Sequence, residues 1–215
     1  MESLLRSWFV LQEIAVTGTV ERITLAASIG RAPAACGVVV VAGDTKVVPR
    51  GQGGGLYITA TGIGTRSPGA VLDMTQIRAG DCVLVNGTVG DHGTAVLLAR
   101  QAFGLHGELR SDSASVLAFT GVAQSLAGLR FMRDPTRGGI ATVANEIARE
   151  GRVVAVVDPT HAAALLALWR GLPGGQQAAV IGRVDNARPC VVLRTQLGGE
   201  RLLHELEDDP LPRIC

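Results

Sequence analysis

Short runs of β-branched and aliphatic residues recur along this chain, each closed by glycine or by a charged turn. Val38–Val41 is one, and Cys82–Asn86, Leu129–Met132, Val153–Val157 and Ala178–Val184 repeat the pattern. Runs of this length and branching suit a pleated surface and read as strands, Val38–Val41 and Val153–Val157 as buried ones. Between them the spacing of apolar residues is helical. Thr19–Ala35 sets Val20, Ile23, Ala27 and Ile29 on one face. Pro33 should kink or end that helix, and Gly37 is its expected stop. Thr94–Phe103, Ala114–Ala127 and Ile140–Arg149 are three further helices. Asp158 is placed to cap a fifth over Pro159–Arg170, with proline in the turn that tolerates it. Such alternation predicts an α/β or α+β layered fold.

Other stretches are less regular. Leu4–Val16 is apolar without a period. Val47–Val48 reads as a short strand, and Leu56–Gly64 as a strand returning to pair with those before it. Gly51–Gly55, Ser67-Pro68-Gly69 and Ile77–Asp81 read as turns. Cys190–Thr195 and Arg201–Leu206 read as late strands around Gly198-Gly199. The run Gly104–Ser113, rich in glycine, charge and serine, is the expected linker. It divides the chain into residues 1–107, 108–206 and a tail over 207–215.

Hydrophobic residues make up 47% of the 215 residues and charged residues 18%, the signature of a folded, core-rich chain. Aromatics are only 3%, so the core falls to valine, leucine, isoleucine and alanine. A net charge of +1 leaves no basic field for nucleic acid and no basic amphipathic surface for a membrane. No apolar run is long enough to span a bilayer, and no cleavage pattern follows Met1–Val10, so a cytoplasmic protein is expected. Cys36, Cys82, Cys190 and Cys215 show no zinc or thioredoxin spacing. The first three adjoin apolar runs and read as small core residues. His92, His106, His161 and His204 show no metal spacing.

Candidate chemistry sits at four places. Asp44 and Lys46 follow Val38–Val41 in a loop, where an Asp suits magnesium with phosphate and a Lys suits phosphate or a proton; a solvated turn is the alternative. Gly87-Thr88-Val89-Gly90-Asp91-His92-Gly93 joins a strand to a helix. Its backbone amides and the helix dipole suit phosphate, although an ordinary tight turn explains it equally well. It is neither a Walker loop nor a dinucleotide fingerprint. Arg133-Asp134-Pro135-Thr136-Arg137-Gly138-Gly139 forms a second strand–loop–helix junction, with Asp134 and Arg137 open to the same two readings. Finally, Pro212-Arg213-Ile214-Cys215 closes the sequence after Glu205, Glu207, Asp208, Asp209 and Pro210. Such a tail does not bury its thiol easily and is suited to carry a group into a pocket, or else is frayed.

Taken together, Gly43–Val48, Gly87–Gly93, Arg133–Gly139 with Asn145-Glu146-Ile147-Ala148, and Pro212–Cys215 resemble the HypE family of nickel–iron hydrogenase maturation proteins, in the family's order. The resemblance implies a two-domain, PurM-like fold of the aminoimidazole-ribonucleotide-synthetase-like ATP enzymes, with homodimerisation through the first domain. It implies that a carbamoyltransferase partner, HypF, loads Cys215. ATP with magnesium then drives dehydration of the carbamoyl group to a thiocyanate, and the cyano group passes to iron on a HypC–HypD scaffold.

By position, the resemblance makes Cys215 the carrier, Asp44 a magnesium–ATP ligand and Lys46 the lysine of dehydration. Glu150, before Gly151, matches the glutamate of the family's Asn-Glu-Gly segment. Gly87, Gly90, Asp91 and Gly93 fall near the nucleotide or the domain interface, and Asp134 and Arg137 fall with the cofactor-binding set. This chain departs from the family in three ways. It begins after the family's glycine-rich histidine motif and first strands, so a truncated first domain is expected. It lacks a stretch between Ala148 and Glu150, and has Arg149 where the family has Asn. Pro33 falls inside a usual helix. A second reading follows, a catalytically impaired relative that serves as a partner-binding module. The shortened sheet predicts an exposed edge or apolar surface.

Overall fold

The computed structural model describes residues 8–15, 19–46, 49, 56–65, 72–100, 104, 106–135, 139–150, 155–187 and 190–204. The chain divides into two compact units, Met1–Ala70 and Val71–Cys215.

The first unit is a three-stranded sheet with one helix. β1 (Trp8–Ala15) lies between β2 (Val39–Lys46) and β3 (Leu56–Ile63). β1 pairs with β2 in parallel and with β3 antiparallel. A parallel partner requires the chain to return to the same end of the sheet, and α1 (Thr19–Ala35) spans that crossover. The stretch Leu4–Val16 thus holds the central strand of this sheet, although its sequence has no alternation. Leu56–Gly64 finds its partner in β1 and not in the strand before it. Pro33 lies within the last turn of α1, and the helix stops where expected. The amides of Cys36 and Val38 both donate to the Pro33 carbonyl at 2.9 Å, and Gly37 takes the left-handed conformation at φ 67°. β2 runs through Lys46, so Gly43-Asp44-Thr45-Lys46 is strand and not the expected loop. The ladder to β1 continues as far as the Ile14–Lys46 pair. Nor are Val39, Val40 and Val41 buried: β2 is a sheet edge, and Val39 is 63% exposed. Val47–Val48 and the turns at 51–55 and 67–69 lie outside the described residues.

The second unit is built on β4 (Cys82–Val85), β5 (Leu129–Met132), β6 (Ala155–Val157) and β7 (Ala179–Arg183), in the order β5-β6-β4-β7 and antiparallel throughout. The division of the chain therefore does not fall at 107/108. β4 pairs with β6 and β7, so residues 82–85 belong with the sequence that follows the turn-rich run and cannot part from it. The helices are α2 (Asp91–Ala99), α3 (Leu117–Gln124), α4 (Gly139–Glu150) and α5 (Pro159–Arg170). β8 (Val192–Arg194) and β9 (Glu200–Leu202) form a separate hairpin. α2 starts three residues before the expected Thr94, within the Gly87–Gly93 run, and ends at Ala99, and α3 is shorter than the helical spacing predicts at both ends.

Helices cover both faces of the sheet. On one face Leu84, Ala155 and Val157 pack with Phe119 and Ala123 of α3 and with Leu165 and Trp169 of α5. On the other, Val85 and Val156 pack with Val143 of α4, beside Ile140 and Phe131. Strand alternation explains the split, since successive residues of β6 point to opposite faces. Trp169 meets Phe119 edge to face with ring centroids 6.2 Å apart, and its indole N–H donates to the Phe119 carbonyl at 3.0 Å. Cys82 is a core residue as expected, whereas Cys36 and Cys190 are half-buried. Among the described residues no helix is long and apolar enough to cross a membrane.

Charge ties the ends of three elements. Asp81, only 2% exposed, accepts from the Arg78 amide at 2.8 Å and lies 3.7 Å from Arg130 Nε. Arg130 Nη2 donates to Asp158 Oδ2 at 3.0 Å. Asp158 caps α5 as the sequence predicts, accepting from the Thr160 amide at 2.9 Å. The Thr160 hydroxyl and amide hold its carboxyl below its ordinary value of 3.8, with Arg130 adding to the effect. A carboxyl depressed by folding stabilises the fold above its unfolded pKa, and that contribution is lost as pH falls through the folded value. Asp158→Asn should therefore melt below wild type at pH 6. The gap should close as pH drops below about 4, read by thermal unfolding across pH. A gap independent of pH would contradict this role.

Candidate functional site

The strand–loop–helix junction after β4 is the best-defined candidate. Gly90 turns the chain in the left-handed region at φ 89°, a conformation that favours glycine, and α2 begins at Asp91. The Thr88 hydroxyl donates to the Asp91 carboxylate. The Thr94 amide and hydroxyl both bond the Gly90 carbonyl, at 3.3 and 3.1 Å. These bonds fix Asp91 in the first turn, where the helix dipole favours negative charge.

A second carboxylate arrives from the stretch expected to be a linker. The His92 amide donates to Asp112 Oδ1 at 3.0 Å. His92 Nδ1 lies 2.9 Å from Ser111 Oγ, which also accepts from the Ser113 amide at 3.0 Å. Ser111-Asp112-Ser113 thus folds back over the start of α2, and the helix end holds the chain's own anion. Phosphate binding at the His92 amide requires displacement of Asp112. Sequence reading missed this role because serine and aspartate in a glycine-rich run look like linker. The available signal was the acidic residue itself, flanked by two hydroxyls that can pin it.

Asp44 is exposed in β2, opposite Gln12 of β1, and Lys46 is the last residue of β2, opposite Ile14. They stand two residues apart on one strand. Asp134 is exposed just beyond the end of β5, and Arg137 lies outside the described residues. Glu150 is the last residue of α4. Cys215 lies outside the described residues. The structure brings Gly90, Asp91 and Gly93 together at one junction, with Gly87 shortly before it. Asp44 and Lys46 belong to the first unit, and Asp91, Asp134 and Glu150 to the second. Within the second unit Asn145 is buried, and its side-chain amide donates to Ala141 of its own helix and to Leu203 beyond β9.

Residues 78–164 match the family of AIR synthase related proteins, C-terminal domain, and the mixed sheets and helices make this an α+β, PurM-like fold. The chain is 38% identical to a carbamoyl dehydratase HypE of Cupriavidus necator, covering 96% of this chain and 69% of that protein. It is 33% identical to a hydrogenase expression/formation protein HupE of Azotobacter chroococcum, covering 98% and 72%. A crystal structure of Escherichia coli HypE superposes with a TM-score of 0.89 at 29% identity, covering 99% of this chain and 77% of that one. A HypE structure in complex with ATP gives 0.84 at 33% identity, covering 98% and 76%. A HypE–HypF complex gives 0.84 at 28% identity, covering 94% and 78%. The chain belongs to the HypE family. The first of these alignments is 246 positions long and takes in 96% of a 215-residue chain, so it crosses positions where this chain has no residue. That agrees with an internally shortened member of the family.

The clasp on α2 is directly testable. Asp112→Ala should speed hydrogen exchange at the His92 amide by about fivefold, the effect of losing a capping bond worth roughly 1 kcal/mol. Unchanged exchange would show that the carboxylate does not hold the helix end.

Proposed function

We propose that this chain dehydrates a carbamoyl group carried on Cys215, using ATP, to give a thiocyanate that supplies the cyanide ligand for the iron of a nickel–iron hydrogenase. The observation that carries the reading is 38% identity to a carbamoyl dehydratase over 96% of the chain. Retention of Gly43-Asp44-Thr45-Lys46 and Pro212-Arg213-Ile214-Cys215 supports it.

The chemistry balances. The loaded cysteine is a thiocarbamate, S–C(=O)–NH2. Its oxygen attacks the γ-phosphorus of ATP and ADP leaves. Loss of one N–H proton gives an O-phosphorylated imidate. Loss of the second N–H proton expels phosphate and closes the C≡N bond. An amide oxygen is a poor leaving group until phosphorylated, and the protons need an acceptor held within hydrogen-bond reach. Lys46 and Glu150 are the proposed residues for those proton transfers. Gly87, Gly90, Asp91 and Gly93, with Asp134 and Arg137, are the proposed surroundings of the nucleotide.

Asp44 is the proposed carboxylate for magnesium. Among the described residues no group of three His, Cys, Asp or Glu side chains could enclose a metal. A single exposed carboxylate nevertheless fits magnesium, which takes one or two carboxylates and completes its shell with water and substrate phosphates. Bound there, the ion would neutralise charge on the phosphates.

HypF is the proposed source of the carbamoyl group, supported by similarity to a HypE solved in complex with HypF. A HypC–HypD complex is the proposed acceptor. Homodimerisation through the first unit is a further proposal, supported by exposed valines on an edge strand. One observation favours a second reading, an impaired partner-binding relative: the positions of the Cupriavidus protein that have no counterpart here.

Intact mass separates the two readings. After incubation with HypF, carbamoyl phosphate and magnesium–ATP, the chain should gain the mass of a nitrile, and Cys215→Ala should gain nothing. A carbamoyl adduct that never loses water would favour the impaired relative. A nitrile on the Cys215→Ala chain would remove Cys215 as the carrier.

A further inference from the structure

Among the described residues two polar or charged side chains are buried, Asp81 and Asn145. Asp81 is accounted for by the turn at Arg78 and by Arg130. Asn145 has no such local explanation. It sits on α4, 7% exposed, two residues from Val143 in the core. One bond of its side-chain nitrogen goes to Ala141 of its own helix at 3.0 Å. That carbonyl belongs to the helix ladder and does not need a side-chain donor. The other goes to the Leu203 carbonyl at 2.8 Å, 58 residues further along.

Leu203 is the first residue after β9, and its own amide donates to the Val191 carbonyl at 2.9 Å. The chain is thus gripped on both sides of one residue, by the hairpin through N–H and by α4 through C=O. A buried amide costs free energy unless bonded, and an apolar side chain of similar size would fill the same space without that demand. What the amide adds is a directional hold on one carbonyl. Leu203 is twelve residues from Cys215, a length that spans at most about 40 Å when extended.

We infer that Asn145 is a positioning residue, which fixes the root of the segment bearing Cys215 against the helix that follows the Arg133–Gly139 loop. The inference rests on the reading of Cys215 as the carrier. A tethered group reacts at an effective concentration set by where its tether starts and which way it leaves. Lengthening the tether by two or three residues changes that concentration by less than about twofold, because the dependence on length is only a −3/2 power. The larger effect is on direction, and it is bounded by the worth of the hydrogen bond that sets it, about fivefold. Loading by a separate enzyme needs only an accessible thiol, so it should not depend on the root. Dehydration requires the thiocarbamate to reach this chain's own nucleotide, so it should.

The test compares Asn145→Leu, which keeps the branched heavy-atom outline and removes the donor, with Asn145→Gln, which keeps a donor. Both are first shown to unfold cooperatively. Carbamoyl loading, ATP affinity and single-turnover dehydration at saturating ATP are then followed on each full chain by intact mass and calorimetry. Hydrogen exchange at the Leu203 amide, which donates to Val191, is measured alongside. Asn145→Leu should load at the wild-type rate, bind ATP normally, dehydrate about fivefold more slowly and exchange about fivefold faster at the Leu203 amide. Asn145→Gln should recover part of both losses. Unchanged dehydration, or a fall matched by a fall in ATP affinity, would overturn the positioning role. If wild type loads but makes no nitrile, the dehydratase reading falls instead. Exchange then decides the anchor alone, and unchanged exchange rejects it.

Discussion

Ala155, Val156 and Val157 are each wholly buried, and the second unit is assembled around them. β6 pairs with β5 on one side and β4 on the other, so its three residues join the halves of the sheet. Ala155 and Val157 face α3 and α5, and Val156 faces α4. The junction at the start of α2 follows from this arrangement. β4, held by β6, delivers Gly87–Gly93 to the start of α2. β5 is held on the other side, and α4 begins at Gly139. The ion network of Asp81, Arg130 and Asp158 links the ends of β4, β5 and β6 on the same sheet.

Much of this order was legible. The five helices and the short strands of the second unit were marked by period and by β-branched runs, and Asp158-Pro159 announced its cap unambiguously. Two kinds of information were not. Trp8–Ala15 carries apolar residues on successive positions, so neither alternation nor helical spacing identifies it, and its place as a central strand depends on partners elsewhere in the chain. The same pairing converts Gly43–Lys46 from apparent turn to strand, because residues of turn propensity are carried along when a ladder continues past them. The division of the chain was misplaced for a related reason. Glycine and serine at 104–113 mark irregular backbone, but only strand pairing shows on which side of a boundary β4 belongs.

The candidate site was legible as chemistry and less so as geometry. Asp44, Lys46 and Cys215 were selected by motif, and a strand, not a loop, turns out to carry the first two. The α2 start was read from its glycines as suited to phosphate or as an ordinary turn, and the anion found on its His92 amide is the chain's own Asp112. Asn145 was visible only as part of a motif. Its bond to Leu203 joins positions 58 residues apart, a distance that no local pattern reports. At the α2 junction the backbone is satisfied by the chain itself, through Asp112.

The central claim is that ATP activates the carbamoyl oxygen for departure. It is tested most directly by labelling that oxygen. With 18O in the carbamoyl group on Cys215, the account predicts that the label leaves as inorganic phosphate, in step with nitrile formation and with no label in water. Unlabelled phosphate alongside a nitrile would mean that ATP is hydrolysed without touching the carbamoyl oxygen, and the proposed reaction would be wrong.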